Sequence, residues 1–206
     1  MLDNLRNRRP RAIDENKYRK FAVMVCLVDL DGVTNVLFEK RAGSLKRQPG
    51  EICFPGGARD PEESSRENAV RETMEELLLS REQIDVIAQM DTMYTLYDNK
   101  VSVYLCELKD YRGTFNEAEV AEVFMVPLDY FLKNDPDEYR NTITVQPPDD
   151  FPYELVPDGK NYHWYKGHTS VYFYNYAPDK IIWGLTAYIM RSAAKIIRYE
   201  ACRDMM

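Results

Sequence analysis

Residues 21–28 form an unbroken apolar run and 33–39 a mostly apolar one, and the two strand-like runs are separated by the turn-forming quartet Asp29-Leu30-Asp31-Gly32. Short apolar runs on either side of such a turn predict two strands joined as a hairpin. A basic stretch over 41–47 leads to a short apolar run at 51–54, a third strand, after which Pro55-Gly56-Gly57 predicts a tight turn. Beyond it Val70, Met74 and Leu77 recur at helical spacing. That helix is expected to start between 61 and 66, because Asp60-Pro61-Glu62-Glu63 and Ser64-Ser65-Arg66-Glu67 each place a glutamate three residues after a capping side chain. Strand patterns return at 84–90 and 101–108, around a loop with Tyr94, Tyr97 and Asp98. The run 117–127 approaches a strand that Pro127 stops, and 128–132 reads as a short helix. Residues 134–160, rich in Pro, Asp and Tyr, read as extended loops with one strand near 141–145; 169–176 reads as a strand and 181–199 as a terminal helix.

Strands interleaved with two long helices imply an α/β (α+β) fold, a mixed sheet covered on both faces. Residues 1–17 are polar, with Pro10 interrupting, and predict an arm or a short helix. With no internal repeat, low-complexity segment or linker, 1–206 is expected to form a single domain.

A net charge of −7 argues against general affinity for nucleic acid or an anionic membrane, and leaves room for a small anionic ligand held by local cations or a metal. No run approaches the roughly 20 apolar residues that span a bilayer, so a cytoplasmic protein is expected. Cys26, Cys53 and Cys106 lie singly in apolar runs and read as reduced core residues, with Cys202 near the carboxyl end. His163 and His168 stand in no triad or ligand spacing and read as structural or surface residues. The tyrosine-rich run 171–176 reads as a packed strand and Trp183 as a core residue.

The candidate chemistry lies on the predicted helix after Gly57. With Glu72 at zero on the wheel, Glu76 falls at about +40° and Glu75 at about −60°, while Val70, Met74 and Leu77 form an apolar back at about 140–200°. The three acids are therefore expected to face away from the core. Like charges three and four residues apart destabilise a helix by roughly 0.2–0.5 kcal/mol per pair, so the crowding calls for a cation. Glu72 and Glu76, stacked at i and i+4, are the candidate direct metal ligands, with Glu75 a third ligand or a partner through water and the Gly56 carbonyl an additional oxygen.

Gly57, five residues, Glu63, seven residues and then Arg71-Glu72-Thr73-Met74-Glu75-Glu76 resembles the Nudix box. The resemblance implies a Nudix-like α/β/α sandwich, Mg²⁺ or Mn²⁺ as cofactor and hydrolysis of a diphosphate bond in a nucleoside diphosphate derivative. It also implies that Arg71 orients the glutamates through ion pairs, with Glu63 among them, and that the general base is either Glu75 or a later-loop glutamate, here Glu119; a surface pair of Arg71 with Glu67 or Glu75 is the plainer reading. A homodimer is common in the wider family. Two positions depart from the box: Thr73 replaces an aliphatic residue, and Leu78 replaces a glycine, so the usual glycine cap at φ > 0 is not expected there.

The segment Arg41-Ala42-Gly43-Ser44-Leu45-Lys46-Arg47-Gln48-Pro49-Gly50, continuing to Phe54-Pro55-Gly56-Gly57, resembles the additional signature of the coenzyme A pyrophosphatase branch, and 182–187 is also similar to that branch. Lys46 stands where arginine is usual and Gln48 where histidine is common. The resemblance implies cleavage of coenzyme A or acyl-CoA to adenosine 3′,5′-bisphosphate and (acyl-)4′-phosphopantetheine. Arg41, Lys46 and Arg47 are then candidates for neutralising the ribose 3′-phosphate. ADP-ribose, a dinucleotide or a nucleoside triphosphate is the alternative substrate, and a non-catalytic nucleotide- or protein-binding domain the alternative of another class.

Overall fold

A computed structural model of the chain describes residues 13–203; most of the expected amino-terminal arm lies outside them, and Glu15–Lys17 form one 3-10 turn. The hairpin forms where its pattern predicts: β1 (Arg19–Leu30) and β2 (Val33–Arg41) run antiparallel, with Cys26 beside Leu37 and Leu30 beside Val33. β7 (Asn99–Leu108) lies parallel to β1 along one whole edge, from Arg19 beside Asn99 to Leu27 beside Glu107. The other edge of β1 is shared. β2 takes its end, and the glycine strand β4 (Gly56–Ala58) takes its beginning, with Val23 beside Gly56 and Phe21 beside Ala58. The divergence of β2 from β1 thus admits the glycine turn into the sheet.

β3 (Ile52–Cys53) and β8 (Val120–Pro127) pair with β2, while β5 (Ile84–Gln89) and β6 (Met93–Tyr94) pair with β7, so one parallel pair among antiparallel ones makes the sheet mixed. A second sheet, three-stranded and antiparallel, is not in the sequence expectation: β9 (Asp137–Thr144), β10 (Lys166–Ala177) and β11 (Lys180–Trp183). The expected strand at 141–145 is the second half of β9, whose exposed, polar first half carries no alternation to read. The terminal helix is also shifted. Residues 181–183 belong to β11, where Ile182 lies beside Tyr174, and Gly184 at φ 61° turns the chain into α3 (Gly184–Arg203).

The alternation in β1 divides two cores. Ala22, Met24, Cys26 and Val28 pack with Leu37, Tyr104 and Cys106 against Ala69, Val70 and Leu77 of α1 (Ser65–Leu77). Val25 on the opposite face joins Phe38, Val103 and Leu105 in a core closed by Phe131 of α2 (Leu128–Lys133), Tyr172 and Tyr174 of β10, and Ile189 and Met190 of α3. The mixed sheet is therefore covered on both faces. Trp183, expected in the core, is 43% exposed: its ring stacks on Phe173 on the outer face of the second sheet. Cys26 and Cys106 are fully buried, Cys53 only partly, and both histidines are exposed.

Candidate active site

Ser64 begins α1 as one of the two capping patterns predicts. Its hydroxyl accepts from the Glu67 N–H and its own N–H donates to the Glu67 carboxylate. Glu67 is thereby engaged at the cap rather than with Arg71. The other pattern closes a small turn ahead of the helix, where the Asp60 N–H donates to Glu63 Oε1 at 2.9 Å.

The glycine turn is required by two close approaches. A Cβ on Gly56 would meet the Ala22 carbonyl oxygen at 2.3 Å, and one on Gly57 would meet the Glu72 carboxylate at 2.4–2.6 Å. Gly57 thus lets a helix carboxylate lie flat against the sheet backbone. The Gly56 N–H donates to Glu76 Oε2 at 2.8 Å, and Asn68, fully buried, donates its amide to the Ala58 carbonyl at 3.2 Å. Turn and helix are one unit.

Arg71 gathers three carboxylates. Its Nε and Nη2 fork onto Glu63 at 3.3 and 3.0 Å, Nη2 also lies 2.8 Å from Glu72 Oε1, and Nη1 donates to Glu75 Oε2 at 3.1 Å. These contacts hold its pKa above the ordinary arginine range, with the Glu63 bond the foremost cause, and pull the Glu63 carboxyl below its ordinary value. Glu75 is exposed; Glu72 is partly buried, and desolvation raises its pKa despite Arg71.

Glu76 corrects the expectation that all the acids face solvent. It is 3% exposed, because the helix buries an arc running from Glu76 through Ala69 and Thr73 to Leu77 and Val70, rotated from the arc predicted. Thr73 fits this arc by donating its hydroxyl to the Ala69 carbonyl at 2.7 Å, while Met74 is only partly buried. Facing the same region is Glu39 of β2, 1% exposed, which sequence reasoning missed. Its Oε1 accepts from the Cys53 thiol at 3.2 Å and its Oε2 is buried without a partner. Burial and mutual repulsion push Glu76 up to about 9, and burial above all pushes Glu39 up to about 7. The available signal was its place in β2: a carboxylate two residues after Leu37, on the face turned to α1.

The end of α1 brings Glu119 to this group. Leu78 adopts φ 54°, ψ 48°, contrary to the expectation drawn from the missing glycine; the left-handed turn closes with the Leu78 and Leu79 N–H groups donating to the Met74 carbonyl. Carbonyls left free there receive the next loop: the Thr114 hydroxyl donates to the Leu77 carbonyl at 2.7 Å and the Asn116 N–H to that of Glu76 at 2.8 Å. Glu119, exposed on this loop, repels Glu39, Glu72 and Glu76. Its carbonyl accepts the Ala42 N–H at 2.8 Å, joining the loop to the basic segment.

Arg41, at the end of β2, lies close enough to Glu39 to lower its pKa, and its Nε donates to the Arg47 carbonyl at 3.4 Å. The side chains of Lys46 and Arg47 are exposed and, among the described residues, make no ion pair.

Among the described residues no three acidic, His or Cys side chains already converge as a metal cage, since Glu72 and Glu75 are turned to Arg71 and Glu76 to Gly56. The donor set nevertheless suits a hard divalent cation: carboxylate oxygens gathered around one turn, two of the acids buried and one oxygen without a partner.

A NUDIX domain model matches residues 18–145. The mouse peroxisomal coenzyme A diphosphatase NUDT7 is 40% identical over 115 residues, 55% of this chain and 49% of its own. Nudix hydrolase 22, chloroplastic, of Arabidopsis thaliana is 30% identical over 187 residues, 87% of this chain and 55% of its own. The chain thus spans about half the length of these relatives. A MutT/nudix family protein from Enterococcus faecalis shares the fold, with a TM-score of 0.52 at 15% identity over 95% of this chain and 68% of its own. Box spacing, the glycine turn against a carboxylate helix and the domain match lead to one conclusion: the chain belongs to the Nudix family.

Proposed function

We propose that this chain is a divalent-metal-dependent diphosphate hydrolase and that its substrate is coenzyme A or an acyl-CoA. The observation that carries the reading is the joining of two units: the Glu39, Glu72, Glu76 and Glu119 group, and Arg41 at the head of the basic loop, tied to the Glu119 loop through the Ala42 N–H. The relative named a coenzyme A diphosphatase supports the substrate choice.

Glu72 and Glu76, with Glu75 and the Gly56 carbonyl as further oxygen donors, would hold Mg²⁺ or Mn²⁺, which when bound would supply neutralising charge to the diphosphate and acidity to a water. Arg71 keeps Glu72 and Glu75 at a set separation from Glu63 and from each other. Glu119 accepts the proton of the attacking water; it is exposed and, among the described residues, unpaired, whereas Glu75 is engaged by Arg71. Arg41, with Lys46 and Arg47, receives the ribose 3′-phosphate by charge-assisted hydrogen bonds.

Incubating purified protein and Mg²⁺ separately with coenzyme A, ADP-ribose, NADH and nucleoside triphosphates, and separating the products, tests the reading. Adenosine 3′,5′-bisphosphate should appear fastest, from coenzyme A. Preference for another substrate defeats the choice of coenzyme A, and turnover of none would leave the fold as a binding domain.

A further inference from the structure

One row of the mixed sheet is cationic across three neighbouring chain segments. Lys20 of β1 lies directly beside Lys100 of the parallel β7. On the other side the chain leaving β4 carries Arg59, one step beyond the Phe21–Ala58 pair, and its N–H donates to the Lys20 carbonyl at 2.9 Å. Strand alternation puts Lys20 on the face of Ala22 and Met24, and Lys100 on that of Ser102 and Tyr104, which is the face turned to α1. With Ser65, Ser102 and Thr92 the three cations line a cavity of about 210 Å³.

Like charges directly opposite each other destabilise a sheet, and this chain has 34 acidic against 27 basic residues with which to compensate them. Among the described residues only Lys100 of the three has an acidic partner, Glu15 Oε1 at 3.2 Å, and its ammonium also lies over the Tyr94 ring. The Arg59 Nε is buried with no hydrogen-bond partner. Ser65, the first residue of α1, also lines the cavity, and its hydroxyl shares a hydrogen bond with the Tyr104 hydroxyl at 2.7 Å.

We infer that this cavity binds a phosphate monoester or inorganic phosphate dianion, at a site separate from the carboxylate group and from the Arg41 loop. Net positive charge and the number of donors on Lys20, Arg59, Lys100 and the lining hydroxyls match a compact tetrahedral dianion. Arg59 is two residues from Gly57, about 7 Å along an extended chain, and Gly57 touches Glu72. The distance lets one molecule place a phosphate here and a diphosphate at the carboxylates. Only the carrier of the phosphate rests on the hydrolase reading; the site itself does not.

The test uses the full chain in EDTA, where no turnover occurs, with inorganic phosphate titrated by calorimetry. Saturable binding is expected, weakened about tenfold or more in Arg59→Gln and in Lys20→Gln, and unchanged in Lys195→Gln, which removes an exposed cation of α3. Lys20 is exposed at the start of its strand, so that variant guards against misfolding of Arg59→Gln. Absence of saturable binding, or equal binding by folded Lys20→Gln and the parent, overturns the inference. Adenosine 3′,5′-bisphosphate and adenosine 5′-monophosphate then identify the carrier. A tenfold preference for the bisphosphate that Lys20→Gln abolishes assigns the site to a substrate-borne phosphate, in place of Arg41. Equal affinities beside intact phosphate binding assign it to free phosphate.

Discussion

At the scale of single residues, burial changes the meaning of Glu76. A carboxyl pushed up to about 9 is protonated near neutrality without a cation, and its Oε2 then accepts one N–H, from Gly56. Glutamine reproduces that neutral form and that acceptor, so Glu76→Gln should fold with an unchanged circular dichroism spectrum. Activity should fall by about 100-fold or more, because the variant loses an oxygen donor with its charge; near-parental turnover would remove Glu76 from the metal site. Arg41→Ala is expected to raise KM for coenzyme A about tenfold while moving that for 3′-dephospho-coenzyme A much less, since loss of one charge-assisted bond is worth about 1.5–3 kcal/mol. Equal rises for both substrates would discard Arg41 as the 3′-phosphate contact.

At the scale of elements, both ends of α1 carry measurable energies. Removing the Ser64 hydroxyl leaves a first-turn N–H without its acceptor, so Ser64→Ala should lower unfolding free energy by about 1 kcal/mol in a denaturant titration. The other end is strained: Leu78 holds a left-handed conformation with its side chain 58% exposed, and such a conformation disfavours a residue with a Cβ by roughly 1–2 kcal/mol. Leu78→Gly is expected to stabilise by about 0.5–1 kcal/mol, the larger backbone entropy of glycine in the unfolded chain taking back part of the gain. A loss of stability would show that the Leu78 side chain contributes contacts outweighing the strain.

At the scale of the whole molecule, two buried carboxylates link stability to pH. Glu39 and Glu76 have folded-state values of about 7 and about 9, above the ordinary value of 4.5, so between these limits the folded state binds more protons than the unfolded chain. Stability contributed by the neutral carboxyls is full below about 4.5 and is lost as pH rises through about 7 and then about 9. In EDTA the thermal midpoint should therefore fall across that range. The slope should be shallower in Glu76→Gln, and Mn²⁺ should restore stability most at the alkaline end, where binding displaces no proton. A flat profile in the metal-free protein would contradict the burial of these acids. Among the described residues no helix is long and apolar enough to cross a membrane.

Local rules sufficed where interactions are local. The β1–β2 hairpin around 29–32 and the two capping patterns ahead of α1 depend on residues within a turn or a hairpin of one another, and the amino-acid order alone made them legible, leaving the structure to choose Ser64 as the cap. The register of α1 against the sheet was decided elsewhere: Glu76 is buried because Gly56 and β2 lie across from it, 20 and more residues away, and no helical wheel contains those partners. The same holds for Glu39, for β11 in place of the first turn of a helix, and for the row of Arg59, Lys20 and Lys100. Each depends on strands meeting side by side, and the order of residues in a chain does not state which strands become neighbours.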